Sequence, residues 1–324
     1  MNILLTGSTG FVGRTVATAL TRAGHQVHGG ISPRHQSPGA LQVPMDFARD
    51  TSVQAWLPRL AGIDAVVNAV GVLRDSRARP IDAVHQHTPV ALFDACAQAG
   101  VRRVVHISAL GIEGSATRYA TTKRAADAHL LALAQQGALH PAILRPSVVF
   151  GKGGDSSALF MNLARLPVAL FPGPMLTARV QPVSVHDLAA AIVALLGPAI
   201  ATQGIVECAG PEALTMGDFI ASLRQQLGHG KAHVLRLPDP LTQLSARLGD
   251  AVPSVPWCTE TLTMLGSDNV GNPAVFEQLL GRKAVHYSQL VLQGARRLPP
   301  LQAAIVGQLT GQPPQWMRAL ALRP

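Results

Sequence analysis

Apolar and polar positions follow one another in the first half of the chain as short apolar runs and longer amphipathic stretches. The first apolar run, 2–6, leads into a glycine-rich turn at 7–13, and 11–23 has apolar residues at helical spacing before Gly24. A short apolar run predicts a strand, and apolar residues three and four positions apart predict a helix. The pattern therefore predicts a strand, a glycine turn and a helix in direct succession.

The same alternation continues to the middle of the chain. Further strands are predicted at 26–31, 41–45, 65–70, 104–108 and 142–144, and further helices at 52–60, 83–99 and 119–136. Strands that are apolar on both faces and alternate with helices are typical of a parallel sheet covered on both sides. We therefore predict an α/β protein whose residues 1–150 form a doubly wound parallel sheet, the Rossmann fold, as a dinucleotide-binding domain.

The second half of the chain is richer in glycine and proline, and its predicted strands, at 179–183 and 205–208, are short. Such residues mark long connections between elements. We expect residues 151–294 to form a smaller C-terminal substrate lobe of mixed α/β structure, with 179–208 returning to the first domain. Residues 295–324 are expected to be a basic C-terminal tail.

The composition, 48% hydrophobic and 14% charged residues in a chain of 324, is that of a soluble globular protein. It excludes disordered, collagen-like and coiled-coil chains. The longest apolar run, 188–201, contains Gly197 and Pro198 and is too short to span a bilayer, so it predicts a buried helix. The three cysteines are scattered and the chain opens on a predicted strand rather than a charged leader, so we expect a cytoplasmic protein without disulfides.

The charge is strongly positive, with 27 basic and 18 acidic residues and a formal net charge of +9. No acidic residue occurs in 278–324, which contains Arg282, Lys283, Arg296, Arg297, Arg318 and Arg323. Positive charge favours anionic partners such as phosphates and lipid headgroups. We expect a dinucleotide and a small-molecule substrate as partners, and no nucleic acid. Trp316 lies among apolar and cationic residues, a composition that also occurs in segments at membrane surfaces or in protein complexes. A peripheral contact through the tail is therefore an alternative, although we favour a tail that packs on the substrate lobe.

Residues 6–13, Thr-Gly-Ser-Thr-Gly-Phe-Val-Gly, form the first motif that indicates chemistry. Gly7 permits a tight turn, Gly10 lets a pyrophosphate approach the backbone, and Gly13 lets the helix pack closely on the strand. Free N–H groups at the start of the helix bind phosphate oxygens. A glycine-rich connection without a ligand is the alternative, but the position directly after the first strand favours dinucleotide binding.

No acidic residue ends the second predicted strand, where sites that prefer NAD usually hold the ribose hydroxyls with a carboxylate. Ser32 and Arg34 occur there instead, and Arg14 lies beside the glycine turn. A hydroxyl and a guanidinium suit a 2′-phosphate, so we expect NADP(H) to be preferred. NAD(H) is the alternative if these arginines are only solvated surface residues. Asp46, after the third strand, either accepts a hydrogen bond from the adenine amino group or caps the next segment.

Tyr119 and Lys123 lie four residues apart on a predicted helix, so their side chains project from the same face. A neighbouring ammonium group lowers the pKa of a phenol from about 10 and makes it a usable proton donor and acceptor. Such a pair is common in helices, and its position after a dinucleotide-binding pattern is what favours a catalytic role. The 12 histidines include no pair at metal-ligand spacing near acidic residues, so no metal site is expected.

Together with the glycine motif, several segments resemble the short-chain dehydrogenase/reductase superfamily in its extended form. They are Asn68-Ala69-Val70-Gly71, Ser108, Tyr119 with Lys123, and 144–151. Three more, 106–111, 180–187 and 268–270, are similar to an atypical branch. That branch includes the nucleotide-binding accessory subunit of mitochondrial complex I and bacterial proteins described as NAD-dependent epimerase/dehydratase-like. The resemblance covers roughly residues 1–294.

The resemblance implies roles for particular residues. Tyr119 would be the general acid/base, and Lys123 would lower its pKa and hold the nicotinamide ribose. Ser108 would polarise the substrate carbonyl, but in active relatives the second residue after the strand commonly does so, and that residue is Ala109 here. Losing one such donor costs other enzymes about 3 kcal/mol of transition-state stabilisation, which puts efficient carbonyl reduction in question.

The resemblance also extends the set of cofactor contacts. Further contacts are implied for Ser8, Thr9, Phe11, Val12, Ala69, Val70, Gly71, Pro146 and Val148. His85 lies near the position at which many relatives carry an asparagine, and His106 precedes Ser108. Both histidines are expected to be structural.

Two classes of function follow from these residues. The first is an oxidoreductase of the epimerase/dehydratase type that transfers hydride with NADP(H) or NAD(H), its substrate lying between the strand ends and the C-terminal lobe. The second is a non-catalytic, cofactor-binding accessory or assembly protein of a respiratory or membrane-associated complex. Tyr119 and Lys123 favour the enzyme, whereas Ala109 and the basic tail favour the accessory protein.

Overall fold

Seven parallel strands form the central sheet in a computed structural model that describes residues 1–33, 41–197, 204–251 and 257–291. The strands are β1 (Asn2–Thr6), β2 (Gln26–Ile31), β3 (Gln42–Pro44), β4 (Ala65–Asn68), β5 (Arg103–Ile107), β6 (His140–Pro146), β7 (Val149–Phe150), β8 (Val168–Pro172), β9 (Arg179–Val180), β10 (Val183–Ser184), β11 (Gly204–Cys208), β12 (Leu214–Thr215) and β13 (His233–Leu237). The helices are α1 (Phe11–Arg22), α2 (Val53–Trp56), α3 (Thr88–Ala99), α4 (Arg118–Gln135), α5 (Asp155–Arg165), α6 (Gly173–Thr177), α7 (Val185–Leu195), α8 (Met216–Gln226), α9 (Asp239–Asp250), α10 (Thr259–Met264) and α11 (Ala274–Leu280). Turns of 3₁₀ helix occur at Leu57–Leu60 and Tyr287–Gln289, and a π-helical turn at Ala83–His87.

The strand order in the central sheet is β3-β2-β1-β4-β5-β6-β11. Every neighbouring pair in it is parallel. The chain builds outward from β1 to β3 and then crosses back to β4, so the topology reverses between β1 and β4. At such a point the loops that leave the carboxyl ends of the strands diverge and form a ligand crevice. The predicted doubly wound sheet is confirmed.

Helices cover both faces of this sheet, as the sequence alternation requires. The side chains of β1 point alternately to the two faces. Ile3 and Leu5 lie in one apolar cluster with Ile192 of α7, and Leu4 lies in the other with Phe93 of α3. All five are fully buried. Each contributes about 1.5–3 kcal/mol by leaving water, so the sheet stays covered on both sides.

A third apolar cluster lies in the second half of the chain. Phe150, Phe171 and Phe219 are among its buried members. The ring of Phe219 meets those of Phe150 and Phe160 edge to face, at centroid distances of 5.7 and 5.9 Å. This cluster is built around α5 and α8 together with the pairs β8–β13 and β9–β12, whereas β11 pairs with β6 at the edge of the central sheet. The division into domains drawn from the sequence stays a prediction.

Prolines explain most differences between the predicted and observed elements. The predicted helix 52–60 is α2 followed by a 3₁₀ turn that contains Pro58. The predicted helix 83–99 begins with a π-helical turn ahead of Pro89. Proline has no N–H to donate to the preceding turn, so a regular helix cannot run through these positions unchanged.

Two further predictions differ at the boundary of α7. The predicted strand 179–183 is two separate strands, β9 and β10, interrupted before Val183 by Pro182. The helix predicted for 188–201 begins earlier, because the Ser184 side chain caps it by accepting a hydrogen bond from His186 N. It ends at Leu195, and the last predicted residues lie outside the described ones.

Cys96, Cys208 and Cys258 are buried free thiols. No helix in the described ranges has both the length and the apolar character needed to cross a membrane. Within the same ranges, no group of three or more His, Cys, Asp and Glu side chains is arranged to hold a metal ion.

Candidate functional site

The glycine turn between β1 and α1 lies at the crevice between β1 and β4. Gly7 has a φ angle of 69°, a left-handed conformation that glycine adopts without strain. A Cβ atom at Gly13 would lie only 1.9 Å from the carbonyl oxygen of Gly7, so α1 can approach the turn this closely only with glycine there. α1 follows Gly10, and no side chain caps its first N–H groups. The turn therefore fits a pyrophosphate.

The loop after β4 packs directly against this turn. Thr6 Oγ1 donates to Asn68 Oδ1 over 2.7 Å and accepts a hydrogen bond from Ala69 N over 3.3 Å. A Cβ atom at Gly7 would lie 3.0 Å from both Ala69 O and Val70 Cγ2. The structure thus brings the predicted cofactor residues of 6–13 together with Ala69 and Val70.

Contacts around the start of α1 position the other predicted cofactor residues, Thr9, Phe11 and Val12. Arg14 donates to Thr9 O over 2.6 Å, so its guanidinium lies on the turn. The Phe11 ring packs on Gly154, where a Cβ atom would lie 2.9 Å from it. Val12 is partly buried against the apolar cluster of α1 and α7. The glycine turn is therefore held by a hydrogen bond from Arg14 and by the packing of Phe11 and Val12.

The end of β2 carries the features that bear on the choice between NAD and NADP. Ser8 Oγ donates to Gly30 O over 2.9 Å and joins the turn to β2. Ser32 follows β2 and is exposed, and Arg34 lies outside the described residues. Asp46 accepts a hydrogen bond from Ala48 N over 3.0 Å, which is the capping arrangement. Because this hydrogen bond occupies one of its oxygens, an adenine contact of Asp46 stays a prediction.

The residues after β6 lie on the other side of the crevice. Pro146 O accepts a hydrogen bond from Leu110 N, and Val148 O accepts one from Val183 N, each over 2.9 Å. Pro146 is buried and Val148 is partly buried. These hydrogen bonds hold the segment after β6 in place beside the end of β5.

Tyr119 and Lys123 lie in the first two turns of α4 and face the ends of β4 and β5. Lys123 is buried, and its Nζ donates to Ile107 O over 2.9 Å. A Cβ atom at Gly71 would lie 3.7 Å from Lys123 Nζ, so the ammonium lies directly beside the loop after β4. Tyr119 is partly buried, and no described residue hydrogen-bonds to its hydroxyl. The pair thus offers a buried cation and a phenol with an unused hydroxyl.

Burial dominates the pKa values of this pair in the cofactor-free chain. Burial, together with the smaller effect of the Asp127 charge, raises the pKa of Tyr119 to about 12. Burial also lowers the pKa of Lys123 to about 8, against the opposing effect of Asp127. The expected lowering of the tyrosine pKa by Lys123 is therefore outweighed, and Tyr119 keeps its proton at neutral pH. In this state Tyr119 is a proton donor.

His85 lies in the π-helical turn and contacts both the loop after β4 and the ring of Tyr119. Its Nε2 accepts a hydrogen bond from Val72 N over 3.0 Å, so the ring proton belongs on Nδ1, which faces Thr122 Oγ1 at 3.3 Å. The ring meets that of Tyr119 edge to face at 5.1 Å. Burial and the Lys123 charge lower the pKa of His85 to about 2, so it is neutral. Its contacts are those of a positioning residue for the loop after β4 and for Tyr119.

A buried polar network, which the sequence did not reveal, lies beneath Lys123. The carboxylate of Asp127 accepts hydrogen bonds from Ser108 Oγ over 2.9 Å and from Arg145 Nε over 3.0 Å. His106 Nδ1 accepts from Asn68 Nδ2 over 3.1 Å, and its Nε2 faces Asp127 at 3.5 Å. The network therefore connects the base of the crevice, through β5, to α4.

This network determines the direction of the Ser108 hydroxyl. Its hydroxyl proton points to Asp127, and the side chain is buried. A hydroxyl committed in this way is not directed at a substrate carbonyl, and Ala109 has no hydroxyl to replace it. The catalytic role assigned to Ser108 stays a prediction, and the geometry favours the strand-end role. Lys123 and Asp127 are four residues apart, which is about one helical turn. This spacing in the sequence could have indicated that a carboxylate lies beside Lys123.

Residues of the second half of the chain also reach the site. Glu260 Oε1 accepts a hydrogen bond from Tyr119 N over 2.9 Å and so caps the start of α4 from α10. Asn269 Nδ2 donates to Leu110 O over 3.3 Å, and Ser147 Oγ donates to Asn269 O over 2.9 Å. The segment around Asn269 therefore lies across the ends of β5 and β6. Glu260 carries no signal in the sequence, because its partner is a backbone N–H remote in the chain.

Stability should reveal the burial of Lys123 through its pH dependence. A lysine whose pKa falls on folding, here from 10.5 to about 8, penalises the folded state while it is charged in both states. The penalty disappears as the pH rises from about 8 to about 10.5, and it is at most on the order of 3 kcal/mol. We expect the free energy of urea unfolding to rise over this range in the wild type, relative to Lys123→Met.

The comparison is made as a difference between variants because other groups titrate in the same range. Lys283→Met removes an exposed lysine and should follow the wild type. Equal pH dependence of wild type and Lys123→Met would show that Lys123 is not held in a desolvated position. The prediction concerns the folded chain without cofactor.

Comparison with known proteins agrees with this geometry. The sequence profile of the "NAD dependent epimerase/dehydratase family" matches residues 3–208. A protein named ceramide reductase, from Caulobacter vibrioides, is 29% identical over 270 residues, which cover 82% of this chain and 81% of that protein. Subunit 9 of the NADH dehydrogenase [ubiquinone] 1 alpha subcomplex, a mitochondrial protein of Arabidopsis thaliana, is 27% identical over 304 residues, 88% of this chain and 72% of that protein.

Solved structures show the same fold. The UDP-glucose 4-epimerase of Thermus thermophilus, in complex with NAD, superimposes with a TM-score of 0.65 at 18% identity. The superposition covers 92% of this chain and 100% of that one. At this identity the likeness establishes the fold.

Proposed function

This chain belongs to the NAD dependent epimerase/dehydratase family, and from that membership we propose that it is an NADP(H)-preferring oxidoreductase that transfers hydride to or from a carbonyl carbon. The observation that carries the proposal is the pairing of the unused Tyr119 hydroxyl with buried Lys123 beside the loop after β4. Burying an ammonium costs stability, and such a cost is typical of a functional site.

Each residue has a part in the proposed reaction. The nicotinamide of the bound cofactor supplies or accepts the hydride. Tyr119, which keeps its proton at neutral pH, donates it to the substrate oxygen during reduction and takes it back during oxidation. Lys123 holds the nicotinamide ribose, and Gly7, Gly10 and Gly13 with the start of α1 bind the pyrophosphate. With Ser108 turned to Asp127, Tyr119 is the hydroxyl that holds the substrate oxygen.

The preference for NADP(H) rests on the end of β2. Ser32 stands where a carboxylate would bind the ribose hydroxyls of NAD, and one carboxylate oxygen of the nearby Asp46 is taken up by its own turn. Arg14 lies on the glycine turn through its hydrogen bond to Thr9 O. A guanidinium beside the turn, with a hydroxyl at the end of β2 and a carboxylate that is engaged in its own turn, favours the 2′-phosphate of NADP.

Arg34→Ala should change the cofactor preference. Loss of a guanidinium that binds the 2′-phosphate should weaken NADPH binding about tenfold or more, with NADH binding unchanged. Isothermal calorimetry with both cofactors measures the ratio. Arg22→Ala, at the opposite end of α1, is the matched control and should leave both affinities unchanged. If Arg34→Ala leaves the ratio of NADPH to NADH affinity unchanged, Arg34 does not bind the 2′-phosphate.

The substrate is proposed only as a carbonyl compound or the corresponding alcohol. One of the relatives, a protein named ceramide reductase, matches 82% of this chain, and its name supports a reduction as the reaction. The likeness to a UDP-glucose 4-epimerase structure supports a sugar nucleotide as the competing class. A panel of carbonyl compounds, quinones and UDP-sugars with NADPH, followed at the absorbance of the reduced cofactor or by product analysis, separates these classes.

A non-catalytic accessory role is the second candidate, and two observations favour it. Ala109 lacks the hydroxyl of active relatives, and Ser108 is committed to Asp127. The likeness to a mitochondrial NADH dehydrogenase subunit points in the same direction. Tight binding of NADPH without turnover of any member of the panel would favour this role, whereas NADPH oxidation with a carbonyl compound would establish the enzyme. A contact of the basic tail 295–324 with a membrane or a complex belongs to this candidate, and these residues lie outside the described ones.

A further inference from the structure

The outer face of α9 carries leucines that the rest of the described chain leaves uncovered. Leu241, Leu244 and Leu248 are 52, 55 and 64% exposed. Their spacing of three and four residues places them on one stripe of the helix, here named the leucine stripe. Thr242 and Ala246 on the same helix are buried against the protein. The helix therefore faces the protein with small side chains and faces outward with large apolar ones.

The strand pair that precedes α9 in the chain carries further exposed apolar side chains. Leu235 of β13 lies in register with Leu170 of β8, and the two are 53 and 59% exposed. Val168, two residues before Leu170 and therefore on the same face, is 47% exposed. β13 continues into α9 through Pro238. Large apolar side chains concentrated in this way on a protein surface mark an interaction site.

The charges of α9 and of the segments before it are more often positive than negative. Residues 165–172 and 229–250 include Arg165, Lys231, Arg236 and Arg247, all exposed. The acidic residues of these two segments are Asp239, which pairs with Arg236 at 3.3 Å, and Asp250 at the end of α9, so four cations face two carboxylates. Basic residues close to an apolar stripe attract the anionic headgroups of a bilayer, while the stripe enters the headgroup boundary. Charge and apolar character thus agree on one occupant, an anionic lipid surface.

The same helix is joined to the candidate catalytic site. Arg74, from the loop after β4, donates to the carbonyl oxygens of Gly249 and Asp250 over 3.1 and 3.3 Å at the end of α9. The Asp250 carboxylate accepts a hydrogen bond from Thr259 N over 2.9 Å at the start of α10. Glu260, the next residue, caps the first turn of α4 at Tyr119. The leucine stripe therefore lies on the outer side of a helix pair whose inner end is attached to the site.

We propose that the leucine stripe, with Val168, Leu170 and Leu235, docks the protein on an anionic membrane surface, and that its substrate is an apolar carbonyl compound drawn from that bilayer. The substrate class rests on the proposed function, whereas the docking does not. α9 and α10 then lie between the bilayer and Tyr119, so the hydrogen bonds described above connect the docking surface to the candidate site.

Vesicle sedimentation tests the docking with the full chain. The probes are phosphatidylcholine vesicles with and without phosphatidylglycerol, at low and at physiological salt. We expect binding to the vesicles that contain phosphatidylglycerol, weakened by salt. The triple variant L241Q/L244Q/L248Q should lose about tenfold or more in bound fraction, because glutamine retains helix propensity but not apolar area.

The matched control is I205T/V275Q, which alters two residues of similar exposure, 41% each, on β11 and α11. It should bind vesicles as the wild type does, and circular dichroism and the thermal midpoint should show that all three chains are folded. Failure of the wild type to bind either vesicle, or unchanged binding of the triple variant, overturns the docking. A dimer that the triple variant converts to a monomer also overturns it, since a second copy would then be the occupant.

The substrate class has its own readout. With NADPH present, a long-chain alkyl ketone carried in the vesicles should be reduced more slowly by the triple variant than by the wild type, while a short-chain ketone in solution should be reduced equally by both. Equal rates with the vesicle-borne ketone overturn the bilayer route. Absence of NADPH oxidation with every ketone contradicts the proposed reaction and the substrate class that rests on it, and vesicle binding then decides the docking alone.

Discussion

Tyr119→Phe is expected to lower turnover by about 10²–10⁴-fold while leaving NADPH binding and stability unchanged. The hydroxyl that this substitution removes has no hydrogen-bond partner in the described chain, so folding loses nothing with it. The phenylalanine ring keeps the edge-to-face contact with His85. Rates with the best substrate of the panel, calorimetric NADPH affinity and the thermal midpoint give the three measurements.

The chain supplies an unusually good control for this prediction. It contains two tyrosines, and the second, Tyr287, contacts His286 at the start of the 3₁₀ turn Tyr287–Gln289. Tyr287→Phe makes the same chemical change outside the site and should leave turnover unaltered. If Tyr119→Phe also retains full turnover, the proton comes from another group, and the assignment of Tyr119 is wrong. A loss of NADPH affinity would instead assign the hydroxyl to cofactor binding.

Much of the fold follows from local pattern. The alternation of apolar runs with amphipathic stretches predicts each strand of the first half of the sheet, because parallel strands buried on both faces are apolar throughout. Gly13 and its position after β1 predict the close approach of α1 to the turn. The predicted helices and strand that differ from the observed ones do so at Pro58, Pro89 and Pro182. Proline has no N–H, so hydrogen bonding changes at these positions within elements that are otherwise predicted correctly.

The candidate site was predictable only where its residues share a motif. Tyr119 and Lys123 are one helical turn apart, so spacing alone puts them on one face. The contact between Glu260 and Tyr119 N joins residues 141 positions apart, and no periodicity encodes such a contact. Spacing also says nothing about the balance between burial and charge. Burial raises the Tyr119 pKa where the sequence predicted that Lys123 would lower it.

The second large effect is expected from the buried carboxylate beneath Lys123. Asp127→Leu removes the buried counter-charge of Arg145, whose side chain is 9% exposed, and leaves it paired with the exposed Glu113 carboxylate at 2.7 Å. It also removes the acceptor of the Ser108 hydroxyl. Breaking a buried ion pair from one side costs about 3–5 kcal/mol, because the remaining charge stays desolvated. We expect the free energy of urea unfolding to fall by this amount.

Two companion variants distinguish the ion pair from a general intolerance of substitution. Asp94→Ala removes a carboxylate of α3 that is 37% exposed and paired with His129, and it should cost less than about 1 kcal/mol. Asp127→Leu combined with Arg145→Met removes both charges, so it should recover much of the stability that Asp127→Leu loses. Additive losses in the double variant would show that the two side chains act independently. Recovery of stability would identify Asp127 and Arg145 as the coupled pair that ties α4, with Lys123 and Tyr119, to the strand ends of the crevice.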